Sequence, residues 1–111
     1  MKWYRDLYVG ESIADQTEKV KWKIRRGIGQ LHIYVIAPAS NPQNLLDIIP
    51  ARELLQKYYP KKEMYVIGLA KGRAEAEQVA AELITAVYAE TGGFDIRTYL
   101  KIGHDLSGSA I

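Results

Sequence analysis

Two runs of the 111-residue chain are apolar at nearly every position, and both predict strands sealed from water on two sides. The first is Leu31-His32-Ile33-Tyr34-Val35-Ile36-Ala37, ended by Pro38, Ser40, Asn41 and Pro42. The second is Met64-Tyr65-Val66-Ile67-Gly68-Leu69-Ala70, ended by the turn Lys71-Gly72. From Arg73 to about Glu90, Ala76, Val79, Ala80, Leu83, Ile84 and Val87 recur at helical spacing, and Thr91-Gly92-Gly93 supplies the stop. Between the two strands, Leu45, Leu46, Ile48 and Ile49 predict a short helical turn. Pro50 then opens a helix over about 51–59, which Pro60 ends.

The flanks are less regular. Tyr4 to Val9 predicts a short strand, broken by Gly10, and Ser12 followed by Asp15 resembles a capping box that starts a helix. Residues 17–26 support two readings. Val20, Trp22 and Ile24 alternate with Lys19, Lys21, Lys23 and Arg25 as in a strand. Ile13, Val20 and Ile24 also share one face of a helix, with Lys and Arg in the last turn before Gly27. Helix is preferred, because cations at a helix end complement its dipole and glycine is its usual stop. Phe94, Ile96, Thr98 and Leu100 alternate with Asp95, Arg97 and Tyr99, which predicts a half-exposed edge strand. Residues 103–111 are small and polar, and predict a flexible C-terminal tail.

Strand, helix, strand, helix, strand implies parallel βαβ units. The expected fold is therefore α/β: one small three-layer βαβαβ domain over residues 1–102, with a mostly parallel sheet of three or four strands. The alternative is an α+β split βαβ sandwich with antiparallel strands, for which the N-terminal segment would supply a central strand. Open sheet edges invite pairing with a second copy, so a homodimer is expected.

Four segments together resemble a group of small bacterial proteins without assigned function. They are Tyr34 to Ala37, Asn44 to Ile49, Val66 to Ala70 with Glu75-Ala76, and Thr91 to Arg97; the resemblance covers roughly residues 7–100. It implies a cytoplasmic bacterial origin and no known activity, and it carries no catalytic residues over to this chain.

Composition narrows the chemistry. There is no cysteine, which excludes disulfides, zinc–thiolate sites and thiol nucleophiles. No apolar run approaches the roughly 20 residues that span a bilayer, and the first residues lack a signal-peptide core, so a cytoplasmic location without membrane contact is expected. Net charge is +2, but residues 1–30 carry seven Lys/Arg against four Asp/Glu. Lys19, Lys21, Lys23, Arg25 and Arg26 with Trp22 form a basic, aromatic segment. Nucleic acid is nonetheless disfavoured as a partner, because so small a net charge attracts polyanions weakly. Trp22 is expected to pack inside.

Two loops attract interest as a site. The turn Lys71-Gly72-Arg73 joins a strand to a helix, where free N–H groups face an anion. In a parallel sheet, Ser40, Asn41 and Asn44 would lie at the same carboxyl edge. Phosphate or a nucleotide is the ligand such a crevice would take, although no established phosphate-loop motif is present. Equally, Ser40, Asn41 and Asn44 are ordinary turn formers and the glycines ordinary turn residues. His32 and His104 are too isolated for a metal site, no catalytic triad is visible, and no cofactor is implied. The expected function is a non-enzymatic interaction or self-assembly module, with small-anion binding as the alternative. The expected partner is another copy of the chain or another protein. The eight tyrosines suit helix packing or an interface.

Overall fold

A computed structural model describes residues 1–39, 43–56 and 64–100. The two apolar runs become neighbouring central strands of one four-stranded sheet, β2 (Ile33–Pro38) and β4 (Tyr65–Lys71). β1 (Lys2–Val9) lies outside β4 and β3 (Leu46–Pro50) outside β2, giving the order β1-β4-β2-β3. β1 pairs parallel with β4, while β2 runs antiparallel to both β3 and β4. Three strands therefore point one way and β2 alone is reversed.

This corrects the expected mostly parallel βαβαβ arrangement: within an α/β fold, only the β1–β4 pairing is parallel. The cause lies between the two apolar runs. Leu46 to Pro50 is a strand and not a helical turn, and it pairs with β2 from Pro38↔Leu46 to Tyr34↔Pro50. β3 brings the chain back to the end where β2 starts, and the connection from Pro50 to Tyr65 returns it to the other end, so β4 runs parallel to β3 and against β2. The central antiparallel pair belongs to the split-sandwich alternative, but the N-terminal strand is at an edge and not central.

Alternation sorts the side chains onto two faces. One face presents Ile33, Val35, Ile49, Val66 and Leu69 to Ile13 of a 3-10 helix (Glu11–Gln16) and to Val20 and Ile24 of α1 (Thr17–Arg25). Ala51 and Leu54 of a second 3-10 helix (Ala51–Leu55) complete that cluster. The other face presents Ile36, Tyr65, Ile67 and Ala70 to Ala76, Val79, Leu83 and Val87 of α2 (Arg73–Thr91). Ile96 and Leu100, at the ends of the short α3 (Ile96–Tyr99), close its border. The alternation slips by one at Ile67–Gly68, opposite the irregular stretch of β1 between Trp3 and Tyr8. A Cβ on Gly68 would stand 3.1 Å from both Ile36 Cδ1 and the Tyr8 carbonyl oxygen, so the missing side chain lets three strands close up.

The helical reading of residues 17–26 holds, with Val20 and Ile24 buried. Two other expectations change. Residues 94–100 form no strand: both Asp95 carboxylate oxygens accept from Thr98, one from its N–H at 3.2 Å and one from its hydroxyl at 2.7 Å, which caps α3. The helix expected over 51–59 is a 3-10 helix that ends at Leu55, and residues 57–59 lie outside the described residues, as does the tail 103–111. Among the described residues no helix is long and apolar enough to cross a membrane.

Candidate functional site

The reversal of β2 separates the residues expected to share a crevice. Ile33, the first residue of β2, pairs with Lys71, the last of β4. Asn44 precedes β3 at the far end of β2, about 17 Å away at ~3.3 Å per residue. There it lines a different hollow with Leu45, Phe94 and Arg97. Ser40 and Asn41 lie outside the described residues.

Lys71, Gly72 and Arg73 do mark the start of α2, but the chain answers its own N–H groups there. The Lys71 N–H donates to Glu75 Oε1 at 2.8 Å, and the Gly72 N–H to the His32 carbonyl oxygen at 2.7 Å. Ser12 adds its hydroxyl to Glu75 Oε1 at 2.8 Å and its N–H to Oε2 at 3.1 Å. Burial pushes the Glu75 carboxyl up, but these donors and the Lys71 charge outweigh it and hold the group below the usual glutamate range. Glu75 thus fills the place an external anion would take. Arg73 is engaged as well, its Nε donating to Glu77 Oε2 at 3.2 Å.

Lys71 has a second environment, which the sequence did not reveal. Its side chain lines a groove of about 220 Å³ on the α1 side, at the carboxyl end of β4. α1 supplies Lys19 and Lys23, one turn apart, and the segment leading into β2 supplies Gln30, Leu31 and His32. Gln16 stands at the α1 entrance. Among the described residues, three lysines, a histidine and two glutamines border this space, and no carboxylate does. Among the described residues the ion pairs are Lys21 with Glu18 and Arg73 with Glu77, so Lys19, Lys23 and Lys71 form none. The Gln30 amide donates to the Val20 carbonyl oxygen at 3.4 Å, which ties the strand-entry segment to α1 and holds the two walls together.

The opposite side of the same sheet end is acidic. Glu11, Glu75 and Glu82 line a hollow of about 210 Å³ between β1 and α2. Among the described residues no cluster of three or more acidic or histidine side chains is placed to hold a metal ion.

Trp22 is exposed and not packed inside. It stands on α1 opposite Val20 and Ile24, with the Arg26 guanidinium 5.5 Å from its ring centre. Trp3, on β1, lies beneath Lys21 and Arg25, at 5.2 and 6.0 Å. The cations of residues 17–26 thus divide: Lys21 and Arg25 over Trp3, Arg26 over Trp22, and Lys19 and Lys23 in the groove. No protein-family model, no curated protein and no solved structure matches the chain.

Proposed function

We propose that the protein binds a small phosphate-bearing anion in the groove formed by Lys19, Lys23, His32 and Lys71. The observation that carries this reading is the lining itself: lysines from α1 and from the end of β4 converge, with His32 beside them, on one hollow that no carboxylate of the described residues lines. Glu75 answers the charge of Lys71, but Lys19 and Lys23 repel one another and Lys71 across the groove, and a bound anion removes that cost. The size selects the ligand class. Pockets for drug-sized ligands run to ~300–1,000 Å³. A space of about 220 Å³ suits a single phosphate group with a small attachment and not a whole nucleotide. A cysteine-free chain suits the reducing, cytoplasmic setting that this reading assumes.

The test is thermal or chemical unfolding with inorganic phosphate, pyrophosphate, or chloride at matched ionic strength. Phosphate at 100 times its dissociation constant adds about 2.7 kcal/mol of stability. The gain disappears in Lys19→Ala/Lys23→Ala, whose side chains bear on no core contact. Equal behaviour in phosphate and chloride, or a gain that survives the double substitution, overturns the reading.

Self-association is a second reading, supported by a different surface. Tyr88 and Phe94 are 55% and 50% exposed and stack on each other with ring centres 5.2 Å apart. Phe94 shares its hollow with the exposed Leu45. Stacked, half-exposed aromatics are the kind of anchor that protein interfaces use.

A further inference from the structure

The layer that carries the groove also exposes apolar side chains that nothing in the described chain covers. Trp22 is 48% exposed, Ile28 41%, Leu31 73% and Leu55 42%. Leu31, Leu55 and Ile28 are tied together by position, and Trp22 stands on the adjoining α1. Leu31 rims the groove beside Lys19 and Lys23. Leu55 lies 4.0 and 3.6 Å from the Cβ positions of Gly27 and Gly29, and Ile28 sits between those glycines. Arg52, in the same 3-10 helix as Leu55, reaches the Leu31 carbonyl oxygen at 3.4 Å. Charge is distributed in the same sense. Residues 17–26 hold five cations and one carboxylate, whereas α2 on the far face holds Arg73 against Glu75, Glu77, Glu82 and Glu90.

We propose that this layer is a peripheral docking face for an anionic lipid bilayer, with a lipid phosphate in the Lys19–Lys23–Lys71 groove and Leu31, Ile28, Leu55 and Trp22 in the interface. The proposal rests on the anion reading of the groove and names the source of the anion. Stable attachment of this kind needs two signals, apolar insertion and attraction between cations and lipid headgroups, and both are present on one layer. An exposed tryptophan on α1 suits the headgroup level. Single-stranded nucleic acid fits less well, because bases stack on aromatic rings and give aliphatic Leu31, Ile28 and Leu55 no apolar phase to enter. A second copy in a two-fold pair would set like cations against one another. The acidic α2 face is repelled by the same surface, so binding has one orientation. The lack of a spanning helix does not bear on attachment of this type.

The experiment is cosedimentation of the full chain with phosphatidylcholine vesicles, with and without phosphatidylserine, at low and high salt. Binding is expected only with phosphatidylserine, and it weakens as salt rises. Each of Lys19→Ala and Lys23→Ala weakens it roughly fivefold. Ile28→Asp, outside the groove lining, abolishes it while leaving stabilisation by inorganic phosphate intact. The Trp emission shifts to the blue on binding, and Trp22→Phe removes that shift. All four positions lie outside the core, and unfolding midpoints verify that each variant is folded. Stabilisation by phosphate without vesicle binding at low salt overturns this proposal and spares the groove reading. Vesicle binding without phosphate stabilisation overturns the groove reading, and with it the proposal as stated. Equal vesicle binding by Ile28→Asp and the unaltered chain overturns the proposal, as does tighter binding to a single-stranded oligonucleotide that Ile28→Asp leaves unchanged.

Discussion

At Gly72 the backbone leaves β4 with φ 87° and ψ 148°, a region that residues with a Cβ rarely enter. No atom crowds the site, since a Cβ there would find nothing within 4 Å. The requirement is purely conformational, and it aims the Gly72 N–H at the His32 carbonyl oxygen, which fixes His32 at the groove. Gly72→Ala is therefore expected to lower stability by about 1–3 kcal/mol in denaturant unfolding. Gly93→Ala is the control: its φ is not positive and its surroundings are equally open, so it should be neutral or slightly stabilising. The sequence shows a glycine after Lys71, but it does not show which conformation the turn uses. Gly68 has the opposite character, with ordinary backbone and neighbours at 3.1 Å, and nothing local distinguishes the two.

Between elements, Glu75 is the clamp. One carboxylate on α2 accepts hydrogen bonds from the end of β4 and from the 3-10 helix that follows β1, and so joins three elements around one corner of the sheet. Gly10 makes room, since a Cβ there would collide with the Glu75 side chain. The folded carboxyl is held below its unfolded pKa, so the clamp contributes its stability above the unfolded glutamate value, about 4.3. That contribution is lost as pH falls through the lower folded value. Glu75→Gln should be less stable than the unaltered chain at pH 7. Unfolding curves measured down to pH 3 should show the gap closing, and a gap that is constant with pH would remove the clamp. Elements with a long periodic pattern were legible from sequence: α2, and the helical face of Val20 and Ile24. The short ones misled because two periods coincide. Ile96 and Leu100, four apart, share a face in a strand and in a helix alike, and the Asp95–Thr98 cap decides for helix. Leu45, Leu46, Ile48 and Ile49 mimic a helical face, and pairing with β2 overrides it.

For the molecule as a whole, the net charge of +2 conceals a separation that only the fold reveals: α1 is basic, α2 is acidic, and the sheet stands between them. Lys71 was legible as a candidate because its turn is local. Its companions Lys19, Lys23 and His32 were not, since they meet it only through long-range packing, and Asn44 was misplaced because the direction of β2 is itself a long-range property. Tyrosine content is a similar case. Tyr65 is buried and Tyr4, Tyr8, Tyr34 and Tyr99 pack against the α2-side cluster, so those five serve the interior, while Tyr88 remains outside. If Tyr88 and Phe94 anchor a second copy, light scattering over a range of concentrations should show a dimer, which Phe94→Asp converts to monomer. A monomer at every concentration counts against self-association.

The β1–β4 pairing joins Lys2 to Tyr65, so the first strand made is completed by one of the last. At translation speeds of roughly 5–20 residues per second, β1 waits about 3–12 s on the ribosome for its neighbour. During that interval the β2–β3 hairpin is able to zip, but the β2 edge that β4 later covers stays open. The nascent chain thus exposes its most apolar strand while the means of covering it is still being made.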